Sequence, residues 1–380
     1  MTHTAAQSAH RAYLDHAATT ELRPAARDAF LNAAAITGNP TSVHASGRRI
    51  RGVLDDALQD IADLLGVPRS WIIMTSGGTE ADNLALRGAA HLGEVLGLAT
   101  DHPAVVETVR ALNGQLIRVN SSGQLDLDHL GQHLSQAGII SAALVNNETG
   151  IMQDLGAIAE PARTAGVAVH TDAVQAAGHV QLPDFDTVDL MSLSGHKIGA
   201  PVGVGALIAQ PDVKLQAVGT GGGQQRGIRS GTLDAANTAA FAAALAEALQ
   251  QQETERTRIA ALADRLRAGI RTLAPEAVIT AEGTPHAPHI VHLMIPGAAQ
   301  DAMLFALDQQ GVDASAGSAC SAGVTQASHV LAAMGADDQQ MRGALRFSFG
   351  WSSTDQDVDV LLAALPDAIA KGRALGALFS

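Results

Sequence analysis

Cys320 is the only cysteine among 380 residues. One thiol cannot form an internal disulfide or a multi-thiolate metal site, so an oxidising compartment gains no support and a cytoplasmic protein is expected. Long apolar runs are also missing. The richest stretch, "AANTAAFAAALAEAL", is interrupted by Asn237 and Glu247, well short of the ~20 residues that a membrane span needs. The opening "MTHTAAQSAH" has no basic segment leading into an apolar run, so no signal peptide is expected. Positive charge is scarce: a net charge of -14 leaves no basic stripe to neutralise phosphates, and direct nucleic-acid binding is not expected. Lys197, Lys214 and Lys371 are the only lysines, arginine supplying the rest of the positive charge. Chemistry that needs a primary amine therefore has few places to sit.

What is present suits a folded enzyme-sized chain, with 47% apolar residues and a length of about two to three domains. Short apolar runs bounded by turn residues read as buried strands: "WIIMTSGG", "GEVLGLAT", "QLIRV", "AALVNNETG", "VAVHTDAV", "VDLMSLSGHK" and "VGVGALI". Helical spacing lies between several of them, from Thr79 and again over Leu155 to Ala165, and the alternation predicts a doubly wound sheet. A long helical pattern from about Ala235 to Ala274 ends at Pro275. Beyond it, "HIVHLMIP", a helix around Ala302 to Gln310, "LRFSFGW" and a terminal helix from about Thr354 form an α+β set. The expected fold is thus α/β, with a large domain of residues 16–253 around a mostly parallel central sheet. Residues 1–15 and 254–380 would form a smaller α+β domain carrying the cysteine loop at about 314–325.

Four polar clusters fall at predicted strand ends, where open α/β sheets bind ligands. "TSGGTEADN" is a strand-to-helix turn in which Gly77, Gly78 and Thr79 either cap a helix or cradle an anion. In "VHTDAVQAAG", Asp172 either caps a helix or faces a cofactor's ring nitrogen, with Gln175 nearby. In "SLSGHKIG", Ser194, His196 and Lys197 end a strand. A strand-end lysine is ordinarily a solvated charge, but only a primary amine condenses with an aldehyde, and here lysine is rare. "GTGGGQQRGIRSGT" is either a mobile connection or, through Thr232, a phosphate contact. Cys320 sits in "ASAGSACSAG", whose small residues offer little to bury and much backbone freedom, unlike the surroundings of a buried structural cysteine.

Ten motifs occur in order: "YLDHAATT", "GNPTSVHASGR", "TSGGTEADN", "DHPAV", "VNNETG", "TDAVQAAG", "SLSGHK", "GGGQQRGIRSGT", "SAGSAC" and "LRFSFG". From about residue 13 to 351 the chain resembles the cysteine desulfurases, a branch of the class V aminotransferases, which are fold-type I pyridoxal 5'-phosphate enzymes. The "GSAC" form resembles the branch with a long mobile loop. The resemblance implies that Lys197 holds pyridoxal 5'-phosphate covalently, Asp172 partners the pyridine nitrogen, Gln175 neighbours the ring hydroxyl and His102 stacks on the ring. Gly78, Thr79, Ser194 and His196 would cradle the phosphate, with Thr232 added from the other subunit of a homodimer. Asn147 and Arg346 would position the L-cysteine carboxylate, and Cys320 would be the nucleophile that carries sulfur as a persulfide to an acceptor protein such as an iron-sulfur scaffold. An unperturbed thiol of pKa about 8.5 is only a few per cent thiolate at neutral pH, and no charged residue lies within several positions of Cys320, so its activation falls to spatial neighbours or to substrate.

A selenocysteine lyase, another aminotransferase-fold enzyme, and a partner-binding protein with a vestigial site are the competing readings. The chain departs from the pattern at His16, where the family often has asparagine, and after Lys197, where "HKIGAPVGVG" lacks a basic residue and one position. It ends at Ser380, soon after the last predicted helix, so little tail is expected for scaffold contact. His286, His289 and His292 recur every three residues, but in a strand such positions face opposite sides, and no metal site is expected.

Overall fold

Buried strands that read as continuous apolar runs require helices on both faces of their sheet, and that requirement shapes the chain. The computed structural model describes residues 10–378 except 318, 319, 322, 323 and 326, with backbone alone described at 320, 321, 324 and 325. The strands are β1 (Ala12–Tyr13), β2 (Ile72–Thr75), β3 (Glu94–Leu98), β4 (Gln115–Ile117), β5 (Ala137–Ser141), β6 (Ala168–Asp172), β7 (Leu190–Ser194), β8 (Gly205–Ala209), β9 (Val278–Ile279), β10 (Ile290–Met294), β11 (Val312–Asp313), β12 (Cys320–Ser321), β13 (Val324–Thr325) and β14 (Ala344–Ser348). The helices are α1 (Pro24–Ala34), α2 (Ala45–Leu65), α3 (Gly78–Ala89), α4 (Pro103–Ala111), α5 (Leu127–His133), α6 (Leu155–Ala165), α7 (Ala235–Leu273), α8 (Gln300–Gln309), α9 (His329–Ala333), α10 (Asp338–Met341) and α11 (Asp355–Gly376).

The main sheet has seven strands in the order β2-β8-β7-β6-β5-β3-β4. Only β8 runs against its neighbours, pairing antiparallel with β2 and β7, while the other pairs are parallel. A second sheet, β14-β10-β9, is antiparallel, and β1 pairs in parallel with β11. Each sheet has its own core. One gathers Leu96, Ile140, Val169 and Leu193 with Phe241, and the other gathers Val291, Leu293, Phe347, Phe349 and Leu365.

One strand expectation fails. The segment "AALV" is not the strand: β5 is the preceding Ala137–Ser141. The apolar run continues past the strand end because Ala142 and Leu144 still donate backbone bonds to His170 O and Asp172 O, both at 3.0 Å. Their side chains are buried under the sheet's end rather than within it. Periodicity reads burial, and here burial outlasts the ladder.

The helix starts are chemically marked. Asp126, Asp154 and Asp234 cap α5, α6 and α7, each accepting the backbone N–H three residues on, and Gly66 and Gly166 end α2 and α6 in the left-handed conformation. Gly205 is required for a different reason. A methyl group there would lie 2.5 Å from Leu193 O and 2.7 Å from the Gly77 Cα, backbone atoms that cannot swing aside. Gly205→Ala should therefore lower stability by about 1–3 kcal/mol through overpacking and push the turn at Gly77 and Gly78 outward, measured as a drop in Tm with weaker anion binding at that turn.

Candidate active site

Strand ends and the second sheet meet at a cavity of about 730 Å³. Gly78, Thr79, His102, Asn147, Asp172, Gln175, Ser194, His196, Lys197 and Arg346 all line it, so ten residues singled out from sequence converge from segments up to 268 positions apart, Gly78 to Arg346. Thr232 is exposed and lies outside the lining. The side chain of Cys320 lies outside the described residues, but Ser315, Gly317 and Ala327, on either side of it in sequence, line the cavity. A second depression of about 700 Å³, between α1, α2 and α7, is walled by alanines with Asp56, Asp60 and Asp63 and holds no lysine, histidine or serine.

At one end, β2 leads through Gly77, at φ 151°, into α3. A side chain on Gly78 would stand 2.7 Å from Val174 Cγ2 and 3.6 Å from Ser194 Cβ. The first turn of α3 therefore reaches the cavity because no Cβ intervenes, and its free N–H groups make an anion cradle. His196 Nδ1 is 3.2 Å from Thr19 Oγ1, and burial pulls the ring down to about 4, so it is neutral at physiological pH.

Lys197 follows β7 in a single turn of 3-10 helix. Its Nζ donates to Ala17 O at 2.5 Å and Ala18 O at 2.7 Å. Burial, then the Arg346 guanidinium, lower its pKa to about 8. Ala17 O also accepts from Gln175 Nε2 at 2.8 Å. Asp172, at the end of β6, accepts the Val174 N–H at 2.9 Å, and burial raises its pKa while His102 and Lys197 oppose the rise. His102 caps α4 through Nδ1, 3.1 Å from the Ala104 N, and burial lowers its pKa.

Arg346 comes from β14 with its side chain 4% exposed, pairing Nη2 with Asp15 Oδ1 at 2.7 Å and donating Nη1 to Asn147 O at 2.8 Å. Its Nε is buried without a partner. The donor set suits a phosphorylated, ring-bearing cofactor with an aldehyde: an anion cradle without a Cβ, a strand-end carboxyl, and a half-buried amine held only by carbonyls.

Sequence reasoning missed several members. Asp82 is fully buried at the cavity floor, its Oδ1 unpartnered and 3.7 Å from His170 Nε2. His170 is bridged to Ser141 Oγ at 2.8 Å and Ser192 Oγ at 2.9 Å, and burial holds it neutral, near 3. Asp101, Glu148 and His329 border the site as well. Asp15, Asp82 and Glu148 stood inside quoted motifs, and that was the available signal. His286, His289 and His292 take separate partners: Thr284 O, the ring of His179 stacked at 3.8 Å, and Thr280 Oγ1. His16 is buried between Thr20 Oγ1 and Ser353 Oγ, and burial lowers it to about 4.

The depressed Lys197 amine has a direct readout. In cofactor-free protein its acylation rate should inflect near pH 8 rather than at the 10.5 of a free lysine, followed by peptide mapping of the modified residue. An inflection near 10.5 would contradict the burial argument.

Comparison with known proteins agrees with this geometry. The aminotransferase class-V family model matches residues 12–361. An IscS-like cysteine desulfurase of Mycobacterium tuberculosis (strain ATCC 25618 / H37Rv) is 38% identical, over 95% of this chain and 97% of its own. A cysteine desulfurase of Gluconacetobacter diazotrophicus is 37% identical, over 95% and 94%. The crystal structure of a NifS-like protein from Rickettsia africae superposes with a TM-score of 0.87 at 27% identity, covering 94% of this chain and 99% of that one. With its mixed, mostly parallel sheet, its strand-end cavity and these matches along almost its whole length, the chain belongs to the aminotransferase class-V family.

Proposed function

We propose that the protein is a pyridoxal 5'-phosphate-dependent cysteine desulfurase that converts L-cysteine to L-alanine and takes the sulfur onto Cys320 as a persulfide. The observation that carries this reading is convergence. A half-buried amine, a strand-end carboxyl and a buried guanidinium share one cavity, and the chain on both sides of the only cysteine lines the same cavity.

On this reading, the α3 N-terminus with Gly78, Thr79, Ser194 and His196 holds the phosphate, and Thr232, which stays outside its own cavity, serves the partner subunit of a homodimer. Asp172, buried at its strand end, is the countercharge for a protonated ring nitrogen. Gln175 sits by the ring hydroxyl and His102 over the ring. When bound, the cofactor supplies an electron sink for charge that develops at the substrate Cα. Arg346 and Asn147 hold the substrate carboxylate, turning the Cα proton toward Lys197. With a pKa near 8, Lys197 is neutral in roughly a tenth of molecules at pH 7 and able to take that proton. The Cys320 thiolate attacks the substrate sulfur: an S–S bond forms as the substrate C–S bond breaks, the C–S electron pair passes to the Cβ side, and two protons go back to carbon, the one Lys197 took from Cα and the one released when Cys320 ionised, giving alanine.

We propose two domains, 16–253 and 1–15 with 254–380, and the two cores support that reading. Helix α7 gives Phe241, Leu245 and Ala248 to one core and Ile259, Leu266 and Ile270 to the other, so the division falls inside it. No helix among the described residues is long and apolar enough to cross a membrane. We place the enzyme in the cytoplasm, delivering sulfur to an acceptor protein of the iron-sulfur scaffold or thiolation kind.

Cys320→Ala should abolish alanine and sulfide formation from cysteine while the purified protein stays yellow and borohydride still fixes the cofactor on Lys197. Retained turnover would remove Cys320 from the mechanism, and a colourless wild-type protein that gains no colour with added cofactor would remove the cofactor. Arg346→Lys, which keeps charge but loses the planar fork, should raise the KM for cysteine by about tenfold with a smaller change in kcat.

A further inference from the structure

Glu148 has no part in the chemistry above, yet it is 2% exposed and lines the cavity. Its backbone is fixed by Asn146, whose Oδ1 accepts the N–H groups of Glu148 at 3.0 Å and Thr149 at 2.9 Å, and whose Nδ2 donates to Thr100 O at 2.7 Å. Two segments far along the chain come to rest on this rigid carboxyl. Gly317, at φ +90°, packs so that a Cβ there would stand 3.5 Å from Glu148 Cβ and 3.6 Å from Oε2. Ser328, which caps α9 by accepting the Leu331 N–H at 3.1 Å, donates its Oγ to Glu148 Oε2 at 2.5 Å. Next to it, His329 Nε2 donates to Asp101 O at 2.9 Å.

Gly317 and Ser328 are the two roots of the stretch 318–327 that contains Cys320. We propose that Glu148 is a positioning residue that seats both roots of this stretch on the rim of the cavity, fixing from which side and at what depth the sulfur carrier is presented to substrate. The assignment rests on the desulfurase reading for its kinetic consequences and on geometry alone for its structural ones. A side-chain oxygen that accepts one bond is what the role needs; ionic charge is not, and burial favours the uncharged acid by raising the Glu148 pKa. Glutamine presents the same acceptor in the same place, whereas alanine leaves the hydrogen of the buried Ser328 hydroxyl without an acceptor.

The test compares Glu148→Ala, Glu148→Gln, Ser328→Ala and the Glu148→Ala/Ser328→Ala double variant as holoenzymes. Glu148→Ala should lower kcat for alanine formation by about tenfold with the KM for cysteine within about twofold, while Glu148→Gln stays near wild type. The loss in the double variant should fall short of the product of the two single losses, because both singles remove the same Ser328–Glu148 bond. Digestion with a protease selective for small residues reads the roots without any turnover: cleavage within 318–327 should rise severalfold in Glu148→Ala and not in Glu148→Gln. A glutamine variant as impaired as alanine, or losses that multiply in the double variant, would overturn the proposal. So would unchanged cleavage in Glu148→Ala, including where that variant proves too unstable for kinetics and Ser328→Ala also cleaves like wild type. If wild type does not desulfurate cysteine while the cleavage pattern holds, the anchoring stands and the activity reading fails.

Discussion

Arg346, held by Asp15 on one side and by the Asn147 carbonyl on the other, ties the second sheet to the strand ends of the first and lines the cavity between them. A guanidinium only 4% exposed is tolerable when its charge and hydrogens are met, and here β14 supplies the arginine while Asp15 and the Asn147 carbonyl supply the acceptors. Losing one partner of such a pair typically costs about 3–5 kcal/mol. The same residue ties down the start of the cysteine loop, since Arg346 N donates to Ser315 O at 2.7 Å and Ser315 N to Arg346 O at 3.2 Å. One donor is left over, the buried Nε.

Asp82 and Asp172 line the cavity and Asp101 lies close by; all three are buried within mutual electrostatic reach, and burial raises each, Asp101 to about 7 despite bonds from the Ala143 and Leu98 N–H groups. Three buried carboxylates cannot all ionise side by side, so protons are retained where the bonds to the charged form are weakest. Asp82, with one oxygen unpartnered, is that place. Asp172 touches the cavity, borders Lys197 and His102, and has most to gain from a cation arriving there. Helix α4 begins directly after His102, so ring and carboxyl are held by the same strand-end architecture that creates the cavity.

The fold was legible where local patterns reflect local causes. The apolar strands announce themselves, and α6 starts and ends where spacing placed it. The strand-end clusters were legible because α/β topology sends successive βα turns to one edge of the sheet. What could not be read were partnerships across the chain. Asp15 meets Arg346 across 331 positions and Ser328 meets Glu148 across 180, and no periodicity encodes such pairs. The misread strand at "AALV" has the same origin, for its burial comes from packing above the strand end rather than from a ladder. Asp82 looked like any helical aspartate, and only the depth of α3 beneath the sheet edge shows it to be a buried acid.

The shortage of lysine, which opens the sequence as a compositional curiosity, follows from the same electrostatics. An aldehyde condenses with any neutral primary amine, so selectivity demands one amine that differs from the rest. Lys214 and Lys371 stay on the surface, with Pro211 O and Asp367 as partners. Lys197 alone is half-buried inside the cavity, and its partial burial with Arg346 close by brings its amine toward neutrality. Arginine carries the remaining positive charge at no risk of competing, because its guanidinium neither deprotonates nor condenses. The guanidinium that grips the substrate carboxylate on our reading is therefore also the charge that helps to free the reactive amine, and the two groups need each other's position for both tasks.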